Sequence, residues 1–392
     1  MGIVTSFMRA FNTKGLDPYP VHSLRRVDRP TVLINEDEVP RVDGRQSGFN
    51  RAARGEFGPF LQSERARIVK KHPLGAAFSD MQMHLKNMGD GIVAEQKAPL
   101  TDDAAAMTRH IKETAYFLRA DLVGICELPP YAVLSHDLGE GKPVDCNHKY
   151  AIALLIDQDY KTSAASTGND WISGSMSYVS YSNSGFVSRI LADYIQKLGY
   201  PARAHHSGNY QLIVPPVLVW AGLGEMSRIG DIVVNPFIGP RFKAAVVTTD
   251  LPLVPDKPID FGLQDFCTKC KKCARECPSG AISFGDKVSY HGYERWPLDV
   301  EKCSSQRIGN QAGSSCGVCM TVCPWNKPYT LFHRFIEWTM RNLPVARRFA
   351  IWGDDLMGYG KPRQGNKWWL DLEEVNGVLQ VPPKAGNRKN IR

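Results

Sequence analysis

Eight of the ten cysteines fall between Phe266 and Lys327, in FCTKCKKCARECPSG and, after a spacer, KCSSQRIGNQAGSSCGVCMTVCPWNK. Cys267, Cys270, Cys273 and Cys277 have the C-x2-C-x2-C-x3-C-P spacing in which three thiolates hold one iron-sulfur cubane and the fourth reaches across to a second. The second run departs from this spacing in one respect. Twelve residues lie between Cys303 and Cys316, which is followed by Cys319 and Cys323-Pro324. Cross-ligation therefore assigns one cluster to Cys267, Cys270, Cys273 and Cys323, and the other to Cys277, Cys303, Cys316 and Cys319, both as [4Fe-4S]. Disulfides are a poor reading, because no apolar export segment is evident and a chain of 392 residues needs no such staple. Structural zinc would want two C-x2-C pairs around a tetrahedral ion, whereas cysteines at i, i+3 and i+6 with a distal Cys-Pro suit a cubane corner.

Something must position these thiolates and use their electrons. Hydrophobic content of 43% and mean hydropathy of −0.28 describe an ordinary globular chain, long enough for a large core and a smaller domain. No window of eighteen apolar residues spans a membrane. The charge of +8 is scattered and does not point to nucleic acid. Arg25-Arg26 is followed by charges and prolines rather than an apolar export segment, and Met1-Gly2 with Ser6 matches a myristoylation pattern only as chance would. Cytoplasmic residence is the expectation.

Residues 1–100 read as an ordered arm and helices, 101–260 as an α+β core, 261–330 as the cluster domain and 331–392 as a helix with a basic aromatic tail whose polar end frays. A helix capped by Thr101 or Asp102 turns Met107, Ile111, Ala115 and Leu118 inward. Strands are expected at 120–126 and 150–156, with strand-like runs at 211–214, 231–234 and 244–248. A second helix at 184–198 buries Val187, Leu191, Tyr194 and Leu198 and stops at Gly199. Another helix is expected at 331–343. Cys126 and Cys146 read as structural thiols. AGLGEMSRIG, 221–230, lacks the G-x-G-x-x-G spacing of a dinucleotide loop.

The stretch TDLPLVPDKPIDFGLQDFCTKCKKCARECPSGAI at 249–282 and CGVCMTVCPWNK at 316–327, together with RVDGRQSGFNRAARGEFG, AGLGEMSRIG and IGPRF, resemble the reductive dehalogenases. This cobalamin-dependent family shares its core with epoxyqueuosine reductase. The resemblance implies a nitroreductase-like core holding base-off cobalamin, with a bacterial-ferredoxin-like domain of two [4Fe-4S] clusters docked over the corrin. It favours the catabolic, cytoplasmic type. It also implies removal of halide from a halogenated phenol or related organohalide, with an external ferredoxin, flavodoxin or reductase as donor. A homodimer stays open. No D-x-H-x-x-G motif supplies a cobalt-ligating histidine, and His205-His206 read as core or surface residues. Family members protonate the carbon with a tyrosine beside a cationic Arg or Lys. The matching pair here is Tyr181, placed at the head of the second helix, with Arg241 of IGPRF; Tyr178 is the rival acid. Asn209 and Arg307 are candidates for contact with the cofactor, Arg307 from the loop between two cluster ligands. Two other readings are an epoxyqueuosine reductase-like tRNA-modifying enzyme and a non-catalytic iron-sulfur electron carrier.

Overall fold

The structure is a computed structural model that describes residues 7–383 and 385. Its centre is a four-stranded antiparallel sheet built from β1 (Leu122–Glu127), β2 (Tyr150–Asp157), β3 (Ala202–His205) and, later in the chain, Phe242–Thr249. Two short strands, β4 (Glu225–Met226) and β5 (Val233–Val234), pair outside this sheet, so Phe242–Thr249 is β6 and the central order is β1-β2-β6-β3.

Period-two alternation gives β2 two apolar faces. Ile152 and Leu154 join one buried cluster with Ile111, Ala115, Val187, Leu191 and Ile195. Ala151, Ala153 and Leu155 join another with Val217, Leu218, Phe266 and Trp325. The sheet is thus covered on one side by helices Ala104–Phe117 and Ile172–Lys197, and on the other by helix Val214–Trp220 and the cysteine-rich segment. Each fully buried leucine or isoleucine in these layers contributes about 1.5–3 kcal/mol. The second cluster draws Tyr19, Leu122, Phe266 and Met340 together, one residue from each of the four sequence segments.

Several local expectations change. The first helix is capped by Asp103, whose carboxylate accepts from the N–H of Ala105 and Ala106, rather than by Thr101 or Asp102. The second helix begins at Ile172, well before Ser184, so Tyr181 lies inside it and not at its head. Its first half, ISGSMSYVSYSNSG, is poor in helix formers and has no long apolar stripe. Small residues are needed there because helix Pro73–Lys86 packs against it: a Cβ at Gly75 would come within 3.2 Å of Ser175 Oγ, and Gln82 donates to Ser182 Oγ. Residues 211–214 are not a strand; Leu212 makes one isolated bridge to Val133, and helix Val214–Trp220 starts with prolines in its first turn. Strand β3, ARAH, escaped notice because it lacks β-branched residues.

The described part of the arm is bonded to the core. Arg41 donates to the carbonyls of Val133, Leu134 and Val144, and Arg26 to that of Lys257. Residues 1–6, which hold the myristoylation-like pattern, and most of the polar C-terminal end lie outside the described residues. Among the described residues no helix is long and apolar enough to cross a membrane.

Candidate active site and cluster domain

The cysteine runs fold as short helices, Leu263–Cys270, Lys272–Arg275, Val300–Ile308 and Val318–Thr321, and the cysteines stay free of disulfides. Cys267, Cys270, Cys273 and Cys323 line one cavity together with Arg228 and Trp325. Burial pushes all four thiols up, to about 11 for Cys270 and about 12 for Cys323; cysteines of the same quartet add to the rise at Cys267, Cys273 and Cys323, and Asp354 and Asp355 add to it at Cys270. The other four interact likewise: Cys303 with Cys316 and Cys277, and Cys319 with Cys316, Cys303 and Cys277. Cys277 is the exception. Burial raises it, but the Ser279 hydroxyl and the N–H groups of Ser279, Ala281 and Ile282 outweigh that and hold it below an ordinary thiol. Among the described residues no three His, Cys, Asp or Glu side chains converge tightly enough for a single ion. Four cysteines lining one cavity suit a cubane held by four thiolates.

Arg241 belongs to the frame around these quartets. Its guanidinium is 3% exposed and forks onto Asp157 at 2.8 and 2.9 Å, while Nη1 donates to Asn326 Oδ1 at 2.8 Å and to the Lys327 carbonyl. It thereby ties the end of β2 to the residues just beyond Cys323. Burial outweighs Arg241 at Asp157 and holds that carboxyl up at about 6. The expected pairing of Arg241 with Tyr181 is therefore corrected: this guanidinium is held by Asp157, Asn326 and the Lys327 carbonyl, and the ring beneath it is Tyr160.

The cation over Tyr181 is Lys243, whose Nζ stands 5.1 Å from the ring centroid. Lys243 is the second residue of β6, opposite Ile156. Tyr178 and Tyr181 meet edge to face, with centroids 5.9 Å apart, and both are half-buried. Burial and the neighbouring Tyr181 raise Tyr178, and Arg65 and Arg307 only partly offset this. Arg307 lies in a helix rather than a loop, in the last turn of Val300–Ile308, half-buried and 4.6 Å over the Phe49 ring. Burial raises Cys303 and Cys316, and Arg307 is among the groups that draw them back. Arg307 thus acts electrostatically on both Tyr178 and the second quartet.

Asn209 does not join that group. Its side chain accepts from the His206 N–H at 2.8 Å and donates to the carbonyls of Lys86 and Ala204, so it fastens a turn. His205 bonds Thr248 Oγ1 and the Gln211 N–H, and His206 is held by Asn209 and Ser207. Both histidines are buried in structural bonds.

A 4Fe-4S dicluster domain model matches residues 266–327. Tetrachloroethene reductive dehalogenase of Sulfurospirillum multivorans is 30% identical over 316 residues, covering 70% of this chain and 61% of that one. The solved catabolic reductive dehalogenase NpRdhA superposes with a TM-score of 0.92 at 41% identity, over 96% of this chain and 55% of its own; it has also been solved with 3-bromo-4-hydroxybenzoic acid. The chain is a relative of the reductive dehalogenases. Another solved match, a structure that suggests a mechanism for B12-dependent dehalogenation, has a TM-score of 0.91 at 41% identity, over 99% of this chain and 56% of its own. Epoxyqueuosine reductase of Bacillus cereus is a weaker relative, 31% identical over 27% of this chain and 28% of its own. The chain thus spans 55–61% of the length of these three reductive dehalogenases and 39% of a further one, from Desulfitobacterium hafniense.

Within this reductive dehalogenase fold, sequence reasoning missed Lys243, Asp157 and Arg228. Lys243 was legible as the one charge opening an apolar strand, FKAAVVTT. Asp157 and Arg228 carry no local signal, because their roles arise from contacts with residues far along the chain.

Proposed function

We propose that this chain is a reductive dehalogenase that removes halide from a halogenated phenol or related organohalide. The observation that carries the reading is the half-buried Tyr181 under the Lys243 ammonium, in edge-to-face contact with Tyr178. The likeness to reductive dehalogenases at 30–41% identity supports it.

Replacing a carbon-halogen bond by carbon-hydrogen takes two electrons and one proton and releases halide. Bound cobalamin would supply the reduced cobalt centre that breaks the bond, and two [4Fe-4S] clusters would supply its electrons. The chain fits a base-off corrinoid in two respects. Both adjacent histidines are locked in structural bonds, and the buried Gln158 Oε1 and Trp171 Nε1, flanking the start of the long helix, lack protein partners and suit a ligand rich in amides.

Tyr181 then delivers the proton to the carbon. Lys243 places positive charge where the phenolate forms and where an anionic phenol substrate would lie. Arg307 is the second cation available to an acidic substituent. The electrons reach the clusters from a low-potential donor. The test is anaerobic reconstitution with iron and cobalamin, followed by titanium(III) citrate and a panel of bromo- and chlorophenols. Halide release in step with the dehalogenated phenol is expected. Loaded protein that releases none refutes the reading.

A further inference from the structure

Arg228 is 1% exposed, yet among the described residues no carboxylate lies within ion-pair distance of it. Its bonds run to carbonyls: Nε to Cys267 at 2.9 Å, and Nη1 to Ser283 at 2.9 Å and Gly285 at 2.7 Å. The Trp296 face lies 5.0 Å away. Nη2 is buried and has no protein partner. Carbonyl dipoles and a ring do not neutralise a buried cation, and an uncompensated buried charge is strongly unfavourable. The missing anion must therefore be sought beside Nη2.

The same arginine lines the cavity of Cys267, Cys270, Cys273 and Cys323. A cubane held by four thiolates carries net negative charge, and hydrogen bonds to its sulfurs and nearby charge set its reduction potential. We propose that Arg228 is the counter-cation of the first cluster, donating from Nη2 to a cluster sulfur and holding that cluster's potential above what four buried thiolates alone would allow. Its Nε bond to Cys267 fixes the fork against the ligand's own peptide, so the charge stays in place when the cluster turns over. One electron taken from a low-potential donor makes the cluster more negative by one charge, and a fixed positive group favours that form. The electron would then pass to the second cluster, which would return the first to its oxidised state.

This inference rests on the two-cluster part of the function proposed above and not on dehalogenation, so iron content tests the former and potential tests the inference. The experiment is an EPR-monitored redox titration of the holoprotein, compared with Arg228→Gln and Arg228→Lys. With iron content unchanged, the Gln variant is expected to lower the first cluster's reduction equilibrium at least tenfold, about 59 mV for one electron, with the second cluster unmoved. The Lys variant keeps the charge and is expected to stay nearer the native value. A Gln variant that titrates like the native protein, or a shift shared equally by both clusters, overturns the proposal. Should the Gln variant lose iron, the native protein decides. With 15N-labelled arginine, pulsed EPR of the reduced first cluster is expected to show nitrogen coupling, and its absence overturns the assignment.

Discussion

A phenol that must hand a proton to carbon leaves negative charge on its oxygen, so the useful neighbour is a cation rather than another acid. Tyr181 has that neighbour in Lys243, 5.1 Å from its ring, whereas Tyr178 is pushed up by burial and by Tyr181 itself. The two phenols are therefore not equivalent, although their sequence context, YVSY, makes them look so. Tyr181→Phe is expected to cut turnover by about 10²–10⁴-fold, the usual contribution of a positioned general acid, while reduction of the cofactors proceeds at the native rate. Tyr178→Phe should leave most of the turnover. Stopped-flow absorbance separates cofactor reduction from halide release. Native turnover in Tyr181→Phe would transfer the role to Tyr178. Lys243→Gln should cost about 10²-fold, as loss of one preorganised charge stabiliser does.

Elements were legible where one local rule set them. Cysteine spacing fixes which thiolates can share a cubane, and β2 and β6 announce themselves as apolar runs. The first half of the long helix was not legible, because its serines and glycines are there to let another helix come close, a demand no local window contains. Arg241 was found for its motif but misread in role, since its partners Asp157 and Asn326 are 84 and 85 residues away. The turn before the long helix makes a similar remote demand. Gly168 has φ +73°, and a Cβ there would meet Val318 N at 2.6 Å, inside the Cys316–Cys319 stretch. Left-handed backbone alone costs a non-glycine residue about 1–2 kcal/mol. The contact is with backbone, so relief must come from moving the Cys316–Cys319 stretch. Gly168→Ala is therefore expected to lose the second cluster while keeping the first, bringing iron content towards half of native. Colorimetric iron and EPR spin counting check this; a variant with full iron would show that the turn does not hold the segment in place.

At the scale of the molecule, one sheet carries helices on one face and the cluster segment on the other, and Arg241 pins the two together through Asp157 and Asn326. An independent electron-carrying domain would need no such pin, and a carrier would need no half-buried phenol beneath a lysine. Two cubanes joined to an apolar core make sense if electrons arriving at the first quartet leave towards the face of Tyr181. Composition therefore separates the enzyme from the carrier. Protein reconstituted anaerobically with iron, sulfide and cobalamin, then desalted, is expected to retain about eight irons and one cobalt per chain. The Cys323→Ala variant should lose iron from the first site only and keep the cobalt, because the phenol face and the second quartet remain. Elemental analysis by mass spectrometry gives both ratios at once. A chain that holds its full iron yet returns no cobalt would be an electron carrier, with Tyr181 and Lys243 reduced to packing.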